Sequence, residues 1–326
     1  MDSIDVDENE ILQRFDDLVE SGVVLYDNRE VVPFSQDGFH FLFFVAPSLN
    51  KKPFTYGAPN GSDSHGQGEE QATTKAGGDA GKQQQQQHPL FEPGSDISAV
   101  GFEICDVGAT HRLIANKFCF TRPMLLLMTR DGFKRQHDPL EAPDLAAAWA
   151  ALRAMRTSHF VFYNCGEPSG NSRLHRHVQL TRRPEGFTTF LDHEEGSGGG
   201  GGGRPSVPFM YFREPLMRKV EEGEDGASAP VTGESLAKVY GELLGRAEAS
   251  SSFRWDGPGT SCPHNLVMTE HWMAVIPRRR AVWEGLSTNA IGMLGLVGVS
   301  SREEADKWVR TGPLEALCQF GIPRGA

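Results

Sequence analysis

The chain has little with which to bridge itself covalently, cross a membrane or hold a polyanion indiscriminately. Its five cysteines, Cys105, Cys119, Cys165, Cys262 and Cys318, contain no C-x-x-C pair and are odd in number. Neither a disulfide framework nor a zinc ribbon is therefore expected, and reduced, buried thiols are. Apolar runs are short: the longest, residues 290–299, is too short for a bilayer. The acidic start, Met-Asp-Ser-Ile-Asp-Val-Asp-Glu, lacks an apolar secretory segment, so a cytoplasmic location is expected, with the nucleus as a further compartment. Cations are in deficit, 32 Lys and Arg against 43 Asp and Glu for a net charge of −11. That argues against nucleic acid or a membrane as a partner. A small polyanionic substrate would need a local basic cluster.

What is present is enough chain for a sizeable core, 326 residues, in one large domain or two coupled ones. Two stretches dilute it. Residues 55–88 are Gly, Gln, Ser, Asp and Glu with a glutamine run at 83–87, too poor in apolar groups to repay ordering. Residues 194–206 are a glycine-rich insertion, read as the seam between a catalytic portion, 1–193, and a C-terminal portion, 207–326.

Elsewhere both periodicities occur. Ile11, Phe15, Leu18 and Val19 predict an amphipathic helix ending near Gly22, and residues 143–156, 232–248 and 303–320 carry the same spacing, the last broken near Gly312-Pro313. Residues 39–45, 123–130, 160–163, 265–268 and 272–276 predict strands, the last two around a turn at 269–271.

The chemistry concentrates in residues 160–180: an apolar run, a loop of small polar residues, then Leu-His175-Arg-His177-Val-Gln179-Leu. In a strand His175, His177 and Gln179 share one face. Two histidines on a wet strand face are in general unremarked polar residues. Here the preceding Ser169, Gly170, Asn171 and Ser172 offer small side chains and backbone N–H groups to an anion. An imidazole beside such a loop is largely unprotonated near neutrality and can attack phosphorus. Cys165 is the weaker nucleophile, and His111 is read as a satisfied core histidine.

The stretch Asn164-Cys-Gly-Glu-Pro-Ser-Gly170-Asn171-Ser172-Arg173-Leu-His175-Arg-His177-Val-Gln179 resembles the active-site segment of the ATP adenylyltransferases, or diadenosine tetraphosphate phosphorylases. These form part of the galactose-1-phosphate uridylyltransferase branch of the histidine-triad superfamily, whose signature is His-x-His-x-Gln. The likeness recurs in order: Pro-Ser-Leu with Lys52 before a proline, Thr-His and Asn116-Lys117-Phe, Asn265-x-x-x-Thr269, Trp-Met and Pro-Arg278. It implies an α+β fold, a histidine-triad-like antiparallel sheet with flanking helices in two coupled halves. It implies substrate contacts at Lys52, Asn116, Lys117, Asn164, Gly170, Asn171, Ser172, Arg173 and Gln179, and nucleotide contacts at Val267, Met268, Thr269 and Arg278. Cys262-Pro263-His264 departs from the Ser-Tyr-Asn expected before Asn265 and puts roles there in doubt.

The implied reaction is nucleotidyl transfer. His177 attacks an α-phosphorus, an adenylyl-histidine forms, and inorganic phosphate discharges it, turning diadenosine tetraphosphate into ATP and ADP reversibly. His175 is expected to orient His177, and Gln179 to donate to non-bridging oxygens. A divalent cation, Mg2+, would arrive on the nucleotide phosphates, with no protein-bound metal; the partners are small molecules, and oligomeric state is not legible. Two alternatives stand beside this: a metal-dependent hydrolase or transferase with His175 and His177 as ligands, and a non-catalytic nucleotide-binding protein of the same fold.

Overall fold

Seven consecutive buried residues, His159–Cys165, form the strand on which the molecule is centred. The computed structural model describes residues 4–27, 30–52, 91–193, 205–216 and 230–324. The two insertions predicted at 55–88 and 194–206 lie almost wholly outside the described residues.

The N-terminal portion begins with α1 (Glu8–Glu20), capped by the Asp7 carboxylate on Glu10 N–H and buried through Ile11 and Phe15. Strands β1 (Leu25–Tyr26), β2 (Glu30–Gln36) and β3 (Phe39–Val45) follow, then a 3-10 turn, Pro47–Lys51, that ends at Lys52. After the gap come β4 (Glu103–Val107), β5 (His111–Ala115), β6 (Phe118–Cys119) and β7 (Met124–Thr129). Helix α2 (Ala142–Ala154) starts from a reciprocal capping box of Glu141 and Asp144 and leads into β8 (His159–Cys165) and β9 (His177–Arg182).

The C-terminal portion contributes β10 (Phe212–Pro215), α3 (Gly233–Ser250), β11 (His264–Met268), β12 (Trp272–Pro277), the small pair β13 (Val282–Trp283) and β14 (Leu286–Ser287), and β15 (Leu296–Val299). It closes with α4 (Arg302–Thr311) and α5 (Pro313–Phe320), separated by Gly312 at φ +86°.

The fold is α+β, as expected, and the two portions share their sheets. One eight-stranded sheet runs β10-β12-β11-β8-β9-β7-β5-β4, every neighbouring pair antiparallel, so strands from both portions are hydrogen-bonded into it. The three-stranded sheet does the same, because β15 pairs in parallel with β3. Helix α2 packs on β8 and on α3. Trp308 of α4 stacks 6.0 Å from Phe43 of β3 and 5.8 Å from Phe320 of α5, joining the chain's end to its start.

Candidate active site

The site is built where β8 and β9 part. Their ladder runs from His159↔Arg182 to Phe162↔Gln179 and stops. One rung further, Asn164 is paired with Asn265 of β11. Side chains alternate along each strand, so His177, Gln179, Asn164 and Asn265 lie on one face of the sheet. The strand is less wet than its alternating pattern suggests. It begins at His177, not His175, and His175, His177 and Gln179 are 0, 4 and 8 % exposed.

His177 is held at Nδ1, which lies 2.8 Å from the main-chain oxygen of His175. A carbonyl only accepts, so Nδ1 carries the proton and Nε2 is left with a lone pair. Burial pushes the His177 pKa down to about 4, opposed by the bond to the His175 carbonyl and helped by the positive field of Lys52. The imidazole is therefore neutral at pH 7.

The ring of His175 makes no hydrogen bond to the ring of His177 among the described residues. Its Nδ1 lies 2.8 Å from Ser95 Oγ and its Nε2 2.8 Å from Thr129 Oγ1. Both nitrogens being engaged by hydroxyls, His175 is not presented as a metal ligand beside His177. Orientation of the His177 ring comes from the main chain of His175 instead.

Two cations, Lys52 and Arg173, gather here. Burial and then the neighbouring Arg173 guanidinium lower the Lys52 ammonium from its ordinary value. Among the described residues, neither Lys52 nor Arg173 forms an ion pair. Gln179 makes no side-chain hydrogen bond among the described residues. Asn116 is buried and accepts from Phe118 N–H at 3.3 Å, while Lys117 is exposed with its Nζ 5.7 Å from the Phe118 ring.

The loop between the two strands needs glycine at both ends of its 3-10 turn, Glu167–Ser169: Gly166 has φ +84° and Gly170 φ +87°. A Cβ on Gly170 would stand 2.5 Å from the Thr288 carbonyl oxygen. The expectation that this loop offers its N–H groups to an anion fails at two positions. Ser169 N–H is spent on Gly166 O and Gly170 N–H on Glu167 O. Asn171 donates from Nδ2 to Arg173 O and leaves its buried Oδ1 without a partner, while Ser172 and Arg173 are half-buried.

Arg278, expected as a nucleotide contact, is engaged by the protein itself. It is fully buried, and its guanidinium donates to Phe320 O, Ser169 O, Asn265 Oδ1, Arg280 O and Thr288 O, so no donor is left over. Burial pushes its pKa down to about 9, and it stays charged. It ties β12 to the loop end at Ser169 and to the segment at Thr288. Val267 and Met268 are likewise core: β11 is paired on both sides, and both side chains are fully buried. Thr269 closes the β11–β12 turn, its Oγ1 accepting from His271 N–H and Trp272 N–H. At about 3.3 Å per residue, Met268 lies about 10 Å along the strand from the Asn265 rung.

Other expectations hold as stated. His111 is a satisfied core histidine, 3.1 Å from Asp144, which also receives Arg176 at 2.9 Å. Burial raises the Cys165 thiol well above its ordinary range, removing it as a nucleophile. His264, in the divergent Cys-Pro-His, sits behind the sheet against the Tyr240 hydroxyl at 2.6 Å.

Three contributors carry no periodic or motif signal in the sequence. Asp96 accepts from the N–H groups of Leu174 and His175, each at 2.8 Å. Gln136 is wedged between Asn164 and His177. Ala290 N–H reaches Asn164 Oδ1 at 2.9 Å.

Comparison with known proteins places this geometry. Residues 205–323 match the ATP adenylyltransferase C-terminal domain, and residues 68–189 match the Ap4A phosphorylase N-terminal domain. Protein APA1 of Saccharomyces cerevisiae is 28% identical over 301 residues, covering 87% of this chain and 83% of its own. Diadenosine 5',5'''-P1,P4-tetraphosphate phosphorylase 2 of the same yeast is 27% identical over 239 residues, covering 66% and 71%. Among solved structures, yeast Ap4A phosphorylase Apa2 superposes with a TM-score of 0.70 at 21% identity over 100% of both chains. Its complex with Ap4A gives 0.68 at 22% over the same share.

Proposed function

The chain belongs to the Ap4A phosphorylase and ATP adenylyltransferase family and is a nucleotidyltransferase, and from that premise we propose that it phosphorolyses diadenosine tetraphosphate through a covalent adenylyl-histidine on His177. The observation that carries the covalent step is the His177 ring itself: Nδ1–H committed to a carbonyl, Nε2 free, the imidazole neutral. Nε2 attacks an α-phosphorus, an N–P bond forms, and the bond from that phosphorus to the bridging oxygen breaks. ATP leaves with the electron pair. Positive charge that develops on the ring falls beside the His175 carbonyl, which already holds the Nδ1–H. Inorganic phosphate then attacks the same phosphorus, the N–P bond breaks, and ADP departs.

Lys52 and Arg173 answer the polyphosphate charge, and the unengaged Gln179 amide is within the same face to donate to non-bridging oxygens. Among the described residues no group of three or more His, Cys, Asp or Glu side chains could hold a metal ion. In this reading a magnesium ion would enter as part of the substrate, chelated by its phosphates.

The test is intact-protein mass spectrometry after brief exposure to diadenosine tetraphosphate without phosphate. An added AMP on the wild type, absent from His177→Gly and discharged as ADP by phosphate, supports the route. Phosphate-dependent turnover with no adduct would replace it with direct displacement, and no turnover at all with nucleotide binding alone.

A further inference from the structure

We propose that Gln136 is the positioning residue of the nucleophile: its side-chain amide stands in for the missing rung between β8 and β9 and fixes the main chain from which His177 is aimed. This rests on the reading of His177 as the nucleophile.

The ladder between the two strands ends at Phe162↔Gln179, and two residues further, where its register would set Asn164 opposite His177, the two do not pair with each other. The amide of Gln136 lies between them. Its Oε1 accepts from His177 N–H at 2.7 Å, and its Nε2 donates to His177 O and to Asn164 O, each at 3.1 Å. A primary amide has one acceptor group and two N–H donors, and here both functions are used on main chain alone. Gln136 is fully buried, so none of these bonds is exchanged with water. Its own main chain extends the splice: Gln136 N–H donates to Leu174 O, and Gln136 O accepts from Gly166 N–H and from the Tyr163 hydroxyl.

The consequence for chemistry runs through the His175 carbonyl. That oxygen selects the His177 tautomer and directs Nε2. Its own peptide is held by Arg176 N–H on Lys134 O at 3.0 Å, with Asp96 on the N–H of His175 before it and Gln136 on the N–H and C=O of His177 after it. With Gln136 gone, the His175–Arg176 peptide keeps its bond to Lys134 O, but the main chain of His177 loses its hold on this side, and the ring is free to turn Nδ1 away from the carbonyl. No substrate group is touched. The bound nucleotide is gripped by Lys52 and Arg173, which Gln136 does not contact, so the loss should appear in kcat and not in KM.

The experiment compares wild type with Gln136→Met, which keeps the length and apolar stem, and Gln136→Glu, which keeps the acceptor but cannot donate to the two carbonyls. The first readout is the His177 tautomer by 15N imidazole NMR at pH 7. The wild type is expected as the Nδ1–H form, and Gln136→Met as a mixture of tautomers. The second is steady-state phosphorolysis, where kcat falls about 100-fold with KM within about twofold. Gln136→Glu is expected to fall with Gln136→Met, because an acceptor alone does not restore the rung. An unchanged tautomer, or wild-type kcat in Gln136→Met, overturns the proposal. So does an equal loss of kcat and of AMP affinity, which marks a general loss of structure. Should Gln136→Met fail to fold, the same tautomer spectrum on Gln136→Asn, one methylene too short to bridge Asn164 and His177, decides in its place: a single Nδ1–H form overturns the proposal and a mixture supports it. The tautomer spectrum needs no turnover, so failure of the phosphorolysis reading would show as an inactive wild type and leave this result standing.

Discussion

His177 donates its Nδ1–H to the main-chain carbonyl of His175, 2.8 Å away, and not to any side chain. A carboxylate at that place would raise the basicity of the ring and favour its protonation. A carbonyl sets the tautomer while leaving burial free to keep the ring neutral, as its pKa of about 4 records.

Burial of neutral imidazoles makes stability fall with acid. His177 and His264 are both pushed by burial to about 4, below the ordinary value near 6.5. Their contribution is complete above about pH 6.5, where neither folded nor unfolded chain is protonated, and is lost as the pH falls toward 4, because only the unfolded chain takes up the proton. Each site is worth about 3 kcal/mol across that window. Thermal melts at pH 7 and pH 5 should show a clear drop in Tm, and His264→Gln should flatten it. A melting temperature independent of pH between 7 and 5 would contradict the neutral, buried assignment.

Lys52 and Arg173 repel each other and lack acids among the described residues, so the free protein gains nothing from their proximity. Lys52→Met should therefore melt at or above the wild-type temperature while kcat/KM for the polyphosphate falls about 10- to 100-fold, the value of a charge-assisted bond. A loss of stability in Lys52→Met would assign Lys52 to structure.

Gly170→Ala meets two penalties: φ of +87° and a Cβ 2.5 Å from Thr288 O. The left-handed backbone alone costs about 1 kcal/mol. The clash must also move either the loop or the segment that carries Ala290 N–H to Asn164, and kcat should fall about 10-fold or more. Gly186→Ala is the control, with φ +71° and nothing within 4 Å of the added carbon. It should show the backbone cost in Tm and an unchanged kcat.

Arg278→Lys removes a fork that serves five oxygens in the interior and replaces it with three donors on a flexible stem. Destabilisation of about 3–5 kcal/mol is expected, because a buried charge loses its partners. Urea unfolding measures it. A phosphate contact would behave the other way, with KM raised and the unfolding midpoint unmoved.

Local pattern was enough to nominate the candidate reacting side chains and to find most of the elements. The period-two spacing of His175, His177 and Gln179, and the glycines before them, are properties of neighbouring residues, and so a strand face and a tight loop could be read directly. Helices α1, α2, α3, α4 and α5 declared themselves by apolar spacing, and the division between the last two by Gly312-Pro313. Two kinds of fact lay beyond that reach. Partnership was one: Arg278 looks like a phosphate ligand in a run of three arginines, and only the approach of Ser169, Thr288 and Phe320 turns it into a buried clasp. Strand order was the other. Val267 and Met268 become interior because β11 is flanked by β8 and β12, a pairing across about a hundred residues that no spacing encodes. Gln136 belongs to both kinds, a polar residue in an irregular segment whose amide acquires meaning only where two distant strands separate. Short-range periodicity names which side chains can react; long-range hydrogen bonding decides which of them are free to.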